Sequence, residues 1–289
     1  MKVGIVCSRI RLEEKLLLSA FEARHVAIDI IDDRQLVLDP ATAQRDYREY
    51  DVVIERCLHL SRAMYIQHVL GQWGVKTINS YKTIQTCGDK LLTTTALLQA
   101  GVPTPRVLIA FTPESALEAI EQMGYPVVLK PLVGSWGRLL AKVNDRDAAE
   151  ALLEHKSILG SYQHSIFYIQ EYICKPDRDL RVAVIGDRTV RAIYRASPHW
   201  ITNTARGGEP LPAEITPELD RICVAAAKAV GGGIVGVDLL EDPKRGLLVN
   251  EVNGTMEFGK SAHVGGVDLA GEVADYVIGI AEGRISYPG

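Results

Sequence analysis

The chain has 289 residues, 47% hydrophobic and 24% charged, with a formal net charge of -4. That length supports two domains or three small ones. The small negative charge gives no whole-chain attraction to nucleic acid, and no apolar run of about 18 residues offers a membrane span.

The opening Met1-Lys2-Val3-Gly4-Ile5-Val6-Cys7 turns polar too soon for a signal peptide and reads as a buried strand over Lys2–Cys7. A helix is expected at Arg11–Ala23, with Leu12, Leu16, Leu17 and Phe21 on one face. Val26–Ile31, Asp51–Ile54 and Val75–Ile78 are further short strands, and Ser61 caps a helix to Leu70. Strand–helix alternation predicts a small parallel sheet covered by helices. A helix at Lys90–Ala100 closes at Gly101, and Val102-Pro103-Thr104-Pro105 breaks the chain there. Then come a strand (Arg106–Ala110), a helix capped by Thr112 with Pro113 first (to Met123) and a strand (Pro126–Lys130). A glycine-containing loop (Leu132–Arg138), a strand (Leu139–Val143) and a helix (Asp145–His155) follow.

From Ile166 the pattern changes to strands joined by turns: Ile166–Tyr172, Leu180–Ile185 and Thr189–Tyr194, the last two forming a hairpin across Gly186-Asp187. Ser197–Pro212 reads as a long polar loop, Pro217–Val230 and Leu269–Glu282 as helices. Ile234–Leu240 and Gly246–Val252 read as strands about the turn Asp242–Arg245. The five cysteines, Cys7, Cys57, Cys87, Cys174 and Cys223, form no C-x-x-C pair. Buried structural thiols in a reducing, cytoplasmic compartment are the expectation.

Asp238, Glu251 and Asn253 stand out as polar groups inside apolar strands. Side chains alternate along a strand, so Glu251 and Asn253 share a face, and a hairpin would bring Asp238 to them. Hard oxygen ligands of this kind suit Mg²⁺; the bland alternative is the solvated face of an edge hairpin. Asn250 is expected on the opposite face. Lys130 ends a strand and Lys90 begins a helix; either reads as a phosphate contact or as plain surface charge. The loop Gly134-Ser135-Trp136-Gly137-Arg138 lets backbone N–H groups approach an anion. Gln170-Glu171-Tyr172-Ile173 could present extended backbone to a base edge. Asp177-Arg178-Asp179-Leu180-Arg181 places acids and arginines at a strand entrance, Arg181 alternating with apolar neighbours. Arg195 feeds the long loop, where Arg206 precedes two glycines and can fork onto a carboxylate or phosphate. A nicotinamide oxidoreductase is disfavoured, since Cys7–Leu12 lacks a G-x-G-x-x-G.

Taken in order, these residues resemble the ATP-grasp superfamily. Within it, Cys87–Lys90, Gly134–Leu140, Ile201–Gly208 and Asn250–Phe258 are similar to the α-aminoadipate–LysW ligase family, related to the ribosomal-protein glutamate ligases. The resemblance implies an α/β (α+β) ATP-grasp fold behind a small parallel domain, with nucleotide between two α+β subdomains. It divides the chain into a leading domain (1–85), a central subdomain (86–170) and a C-terminal subdomain (171–289). It implies ATP at Lys90, Lys130, Gly134, Ser135, Trp136, Gly137, Arg138, Leu139, Leu140, Gln170, Glu171, Tyr172, Ile173, Asp177, Asp179, Arg181, Arg195 and Asn203, with Mg²⁺ at Asp238, Glu251 and Asn253. Substrate would meet Arg195, Asn203, Arg206, Lys260 and Ser261.

The reaction so implied joins the α-amine of α-aminoadipate to the C-terminal glutamate of a small acidic carrier protein through an acyl phosphate. Arg181 and Arg206 are the candidates to stabilise the oxyanion, and His199 or His263 to take the amine proton. The alternative is glutamate as amino acid, on a carrier or a protein tail. After Glu-Phe the α-aminoadipate enzymes usually carry Asn-Ser or Asn-Thr, and the glutamate relatives Gly-Phe; here the pair is Lys260-Ser261. Lys260 either meets a side-chain carboxylate or is solvated. A homodimer or homotetramer is the expectation from relatives.

Overall fold

Short Val- and Ile-rich runs early in the chain pair side by side: Val3–Cys7 and Val52–Arg56 are buried along their whole length, while Ile28–Asp32, at an edge, is partly exposed. The computed structural model describes residues 1–134, 137–160 and 165–289, apart from the side chains at 45 and 205. In it β1 (Val3–Cys7), β2 (Ile28–Asp32), β3 (Val52–Arg56) and β4 (Thr77–Ile78) form a parallel sheet in the order β2-β1-β3-β4. Helices α1 (Leu12–Glu22), α2 (Arg45–Arg48) and α3 (Leu60–Gln72) lie among these strands in sequence. Two details differ from expectation. His59, not Ser61, precedes α3, and no side chain caps it. Leu12 is exposed, and the buried stripe of α1 runs through Glu14, Leu17, Ala20 and Phe21. Glu14 can occupy that stripe because Arg11 and Arg56 pair with it at 2.9 Å each.

Helices α4 (Tyr81–Gly88) and α5 (Lys90–Gln99) follow. The sequence reading missed α4, whose residues are mostly polar and which buries only Thr83 and Ile84. Asp89 ends α4 and caps α5, accepting from Leu91 N (2.8 Å) and Leu92 N (3.1 Å). This fixes Lys90 at the first helical position.

Strands β5 (Val107–Ala110), β6 (Val127–Lys130), β7 (Ala141–Val143) and β8 (Phe167–Glu171) form an antiparallel sheet ordered β5-β8-β6-β7. Helices α6 (Pro113–Met123) and α7 (Arg146–Leu159) share its apolar core. The third sheet is antiparallel, ordered β11-β10-β9-β12-β13, from β9 (Arg178–Ile185), β10 (Arg188–Ala196), β11 (Glu209–Pro212), β12 (Ile234–Asp242) and β13 (Gly246–Asn253). Strand β11 falls inside the stretch read as loop. Its Glu-Pro-Leu-Pro sequence has no strand pattern, and its prolines are tolerated because it lies at the sheet edge.

Helix α8 (Pro217–Ala229) packs on one face of the third sheet. Helix α9 (Leu269–Ala281) joins β1, β3 and α1 to the other face in one core. The first and third sheets are thereby locked together around the site. Of the cysteines, Cys7, Cys57 and Cys223 are buried, Cys87 is half-buried and Cys174 is exposed, so the expectation of burial fails for Cys174. Among the described residues no helix is long and apolar enough to cross a membrane.

Candidate active site

The hairpin β12–β13 sets Asp238 directly opposite Glu251, and Asn253 opposite Gly236. Between them the register slips: Asp238 pairs with Glu251 but Leu239 with Val249, which leaves Asn250 as the extra residue of a bulge. The bulge overturns the expected orientation of Asn250. Its Oδ1 accepts from Lys130 Nζ (2.9 Å) and Gln170 Nε2 (3.2 Å), and it lines the same cleft as Glu251.

Neighbouring strands surround Asp238 with arginines. Arg181 on β9 grips it with two bonds, the Nη2–Oδ2 one 2.9 Å long. Arg195 on β10 lies 3.2 Å from the same carboxylate and binds Asp179 through Nε and Nη2, both at 2.7 Å. Burial opposes charge on Asp238, but the two guanidinium groups outweigh it and hold its carboxyl below the usual range. Burial likewise opposes charge on Arg195, and Asp238 and Asp179 reverse that, raising its pKa. The floor is thus a dry, charge-balanced network.

Lys130 leaves β6 at the edge of this floor. Burial pulls its ammonium down to about 8, although Glu251 pulls the other way. Its Nζ donates to Gln170 Oε1 (2.7 Å). Lys90 donates to the Gly134 carbonyl (2.9 Å) and lies 3.3 Å from Glu251. The glycine loop rests on the long loop through Gly137, whose φ is +64° and whose missing Cβ would stand 3.0 Å from Ile201 Cγ2. Arg138 and Leu140 reach the cleft with it, and Leu139 is exposed and does not line it.

Beyond Lys130 lies a further pocket, in which Val128, Leu140, Tyr172, Ile173, Ile201 and Leu240 supply apolar wall and Asp179, Asn203, Thr202 and Lys175 polar atoms. Lys175, which the sequence reading missed, donates to the Arg178 carbonyl (2.9 Å), and burial lowers its pKa. Glu171 points elsewhere: at the end of β8 it accepts from Arg106 N and Arg245 Nη1. Asp177 is exposed and lines none of the described cavities. Ser135 and Trp136 lie outside the described residues.

On the opposite side of Arg181 opens a cavity of about 650 Å³. Arg9, Arg11, Arg138, Arg181, Arg195, Arg206 and Lys260 line it, against the carboxylates of Glu13 and Glu257. Arg11 is spent on Glu14 and Glu257 (3.0 Å). The side chains of Arg9, Arg206 and Lys260 make no hydrogen bond or ion pair among the described residues. Ser261 is buried, its hydroxyl bound by Arg191 (3.1 Å). A second cavity of about 260 Å³, lined by Arg181, Asn203, Glu251 and Asn253, lies beside it. Arg9 escaped the sequence reading, yet it follows the carboxyl end of β1, where open α/β sheets place ligands. His199 is engaged in its own loop, accepting from Ile201 N (3.0 Å) and stacking on Trp200. His263 is exposed and lines none of these cavities.

Two antiparallel sheets meet at the buried Lys130, with half-buried Lys90 beside it, behind a parallel leading sheet. The family model for RimK-like ATP-grasp domains matches residues 87–277, and that for LysX pre-ATP-grasp domains matches residues 3–86. The chain belongs to the RimK-like ATP-grasp family, with a LysX-type domain at its front. It is 36% identical to the glutamate–LysW ligase ArgX of Sulfurisphaera tokodaii over 96% of this chain and 98% of the relative. It is 35% identical to the α-aminoadipate–LysW ligase LysX of the same organism, over 96% and 97%. The crystal structure of a RimK domain ATP-grasp protein from Sphaerobacter thermophilus superposes with a TM-score of 0.80 at 27% identity, covering 96% of this chain and all of that one. Ligases of this family form carbon–nitrogen bonds with release of ADP.

ATP-grasp ligases bind ATP, typically with Mg²⁺. The donor set here fits that ion. Among the described residues no three His, Cys, Asp or Glu side chains converge, so the candidate donors are the two carboxylates of Asp238 and Glu251 and the amide of Asn253. Asn253 Nδ2 donates to the Gly236 carbonyl (3.3 Å), which leaves Oδ1 for a cation beside Glu251. Asp238 would share its oxygens between the ion and Arg181.

Proposed function

We propose that this protein joins the α-amine of α-aminoadipate to the C-terminal glutamate of a LysW-type carrier, using ATP and Mg²⁺. The observation that carries the reading is the cation-rich cavity lined by Arg181 and Arg195, the two arginines that pair with Asp238. A dicarboxylic amino acid and a carboxylate-terminated tail are both anions, and three uncompensated cations line that cavity. The relatives named for LysW ligation support the carrier.

The work divides by position. Lys90, Lys130, Gly134, Gly137, Arg138 and Leu140 hold phosphates, and backbone of Gln170–Ile173 with Lys175 and Asn203 holds the base and ribose side. Asp238, Glu251 and Asn253 would hold Mg²⁺, which supplies charge neutralisation at the phosphates. The tail carboxylate attacks the γ-phosphoryl group, the bond to the β-phosphate oxygen breaks, and ADP leaves an acyl phosphate. The amine then attacks the acyl carbon and expels phosphate. Arg181 and Arg206 stand where a tetrahedral oxyanion can be met. The segments 1–85, 86–170 and 171–289 are read as wall, nucleotide clamp and catalytic floor.

Glutamate is the second reading, favoured by the equal match to the ArgX relatives. ADP release with purified carrier distinguishes them. Higher kcat/KM with α-aminoadipate supports the first; higher kcat/KM with glutamate replaces it with the second; release that ignores both amino acids refutes the ligase reading.

A further inference from the structure

The turn Gly259–Ser261 carries Lys260 into the cation-rich cavity, and it is held from two directions. Arg191 on β10 reaches it from the third sheet. Its Nη1 donates to the Ser261 carbonyl (2.9 Å) and its Nη2 to the Ser261 hydroxyl (3.1 Å). Arg191 is buried and has no carboxylate partner among the described residues. A buried guanidinium satisfied by neutral groups alone is a costly way to hold a turn. Glu13 on α1 holds the same turn from the leading domain, its Oε1 accepting from Gly259 N (3.0 Å). Glycine lets this approach stand undisturbed: a Cβ there would lie 2.9 Å from the Glu13 carboxylate and push that side chain aside. Lys260, between the two anchors, is exposed and has no partner of its own.

We infer that Arg191 and Glu13 are positioning residues that fix this turn so that Lys260 meets the side-chain carboxylate of the incoming amino acid. They thereby set the preference for dicarboxylic substrates. This rests on the amino-acid ligase reading above. It assigns selection of the substrate to two residues that do not touch it.

The test is steady-state ADP release with carrier, ATP and either amino acid. Arg191→Met should raise KM for the amino acid about tenfold and leave KM for ATP within about twofold. Arg191→Lys, which keeps one donor, should recover part of that loss, and Glu13→Gln should be milder than Glu13→Ala. On a Lys260→Met background the Arg191→Met change should add little, because the lysine through which it acts is gone. Parallel rises in KM for ATP and amino acid, unchanged kinetics, or full additivity with Lys260→Met overturn the inference. Should Arg191→Met fail to fold, Arg191→Lys and Ser261→Ala carry the same comparison. A wild-type enzyme without amino-acid-dependent turnover sinks the ligase reading and this inference together. An active wild type with unaltered variants sinks this inference alone.

Discussion

The floor around Asp238 and the cavity around Lys260 adjoin, yet they handle charge in opposite ways. On the floor each buried charge has a partner: Asp238 with Arg181 and Arg195, Arg195 with Asp179. In the cavity Arg9, Arg206 and Lys260 have none among the described residues. A paired, dry network is preorganised and pays its desolvation on folding. An unpaired, solvated set stays hydrated until an anion arrives, and so gives selectivity and attraction rather than rigidity. The same residue type therefore does different work within one site.

Breaking the floor should have the largest effect. Asp238→Asn leaves Arg181 without a countercharge and Arg195 with half of its own. ADP release should fall about 10³-fold, and the urea midpoint should report a loss of about 3 kcal/mol. Retained turnover would show that the balance of charge is dispensable. Lys130 comes next. Lys130→Met should lower kcat/KM for ATP about 100-fold. Its pKa near 8 also sets a sign. The ammonium is present below 8 and lost above it, so wild-type kcat/KM for ATP should decline as pH rises through 8. Lys130→Arg should move that limb out of the alkaline range. The unfolded lysine keeps its proton up to its ordinary 10.5, so folding stability should increase between 8 and 10.5 from this group. The cavity should respond least. Arg206→Ala should raise KM for the amino acid or carrier about tenfold, with unchanged urea midpoint and KM for ATP. A stability loss like that of Asp238→Asn would erase the distinction between the two regions.

Much of the floor was legible because ionic side chains interrupt apolar strands. Asp238, Glu251 and Arg181 declare themselves by violating the pattern around them. Asn250 did not, because strict alternation assigns it outward and only the bulge turns it in. Asp177 and Glu171 sit beside true cleft residues in sequence but fall on the other side of a strand or turn. Helix α4 was illegible for want of an apolar stripe, and β11 for want of alternation. Arg191 reads as one more arginine on a β-strand, since its meaning depends on Ser261, far along the chain. Lys175 has no local signal at all.

The join between leading domain and catalytic floor bears on when competence appears. Arg11 pairs with Glu257 and Glu13 with Gly259, each across 246 residues, and Arg56 donates to the Met256 carbonyl across 200. Contacts of such separation close late, because the intervening chain must be ordered first. A polypeptide emerging from the ribosome has its lysines and glycine loop long before β13 and the turn beyond it. The wall, the floor and the Lys260 turn come together only once the segment through Ser261 is available. The nascent chain therefore cannot assemble this part of the site until the segment through Ser261 has been made.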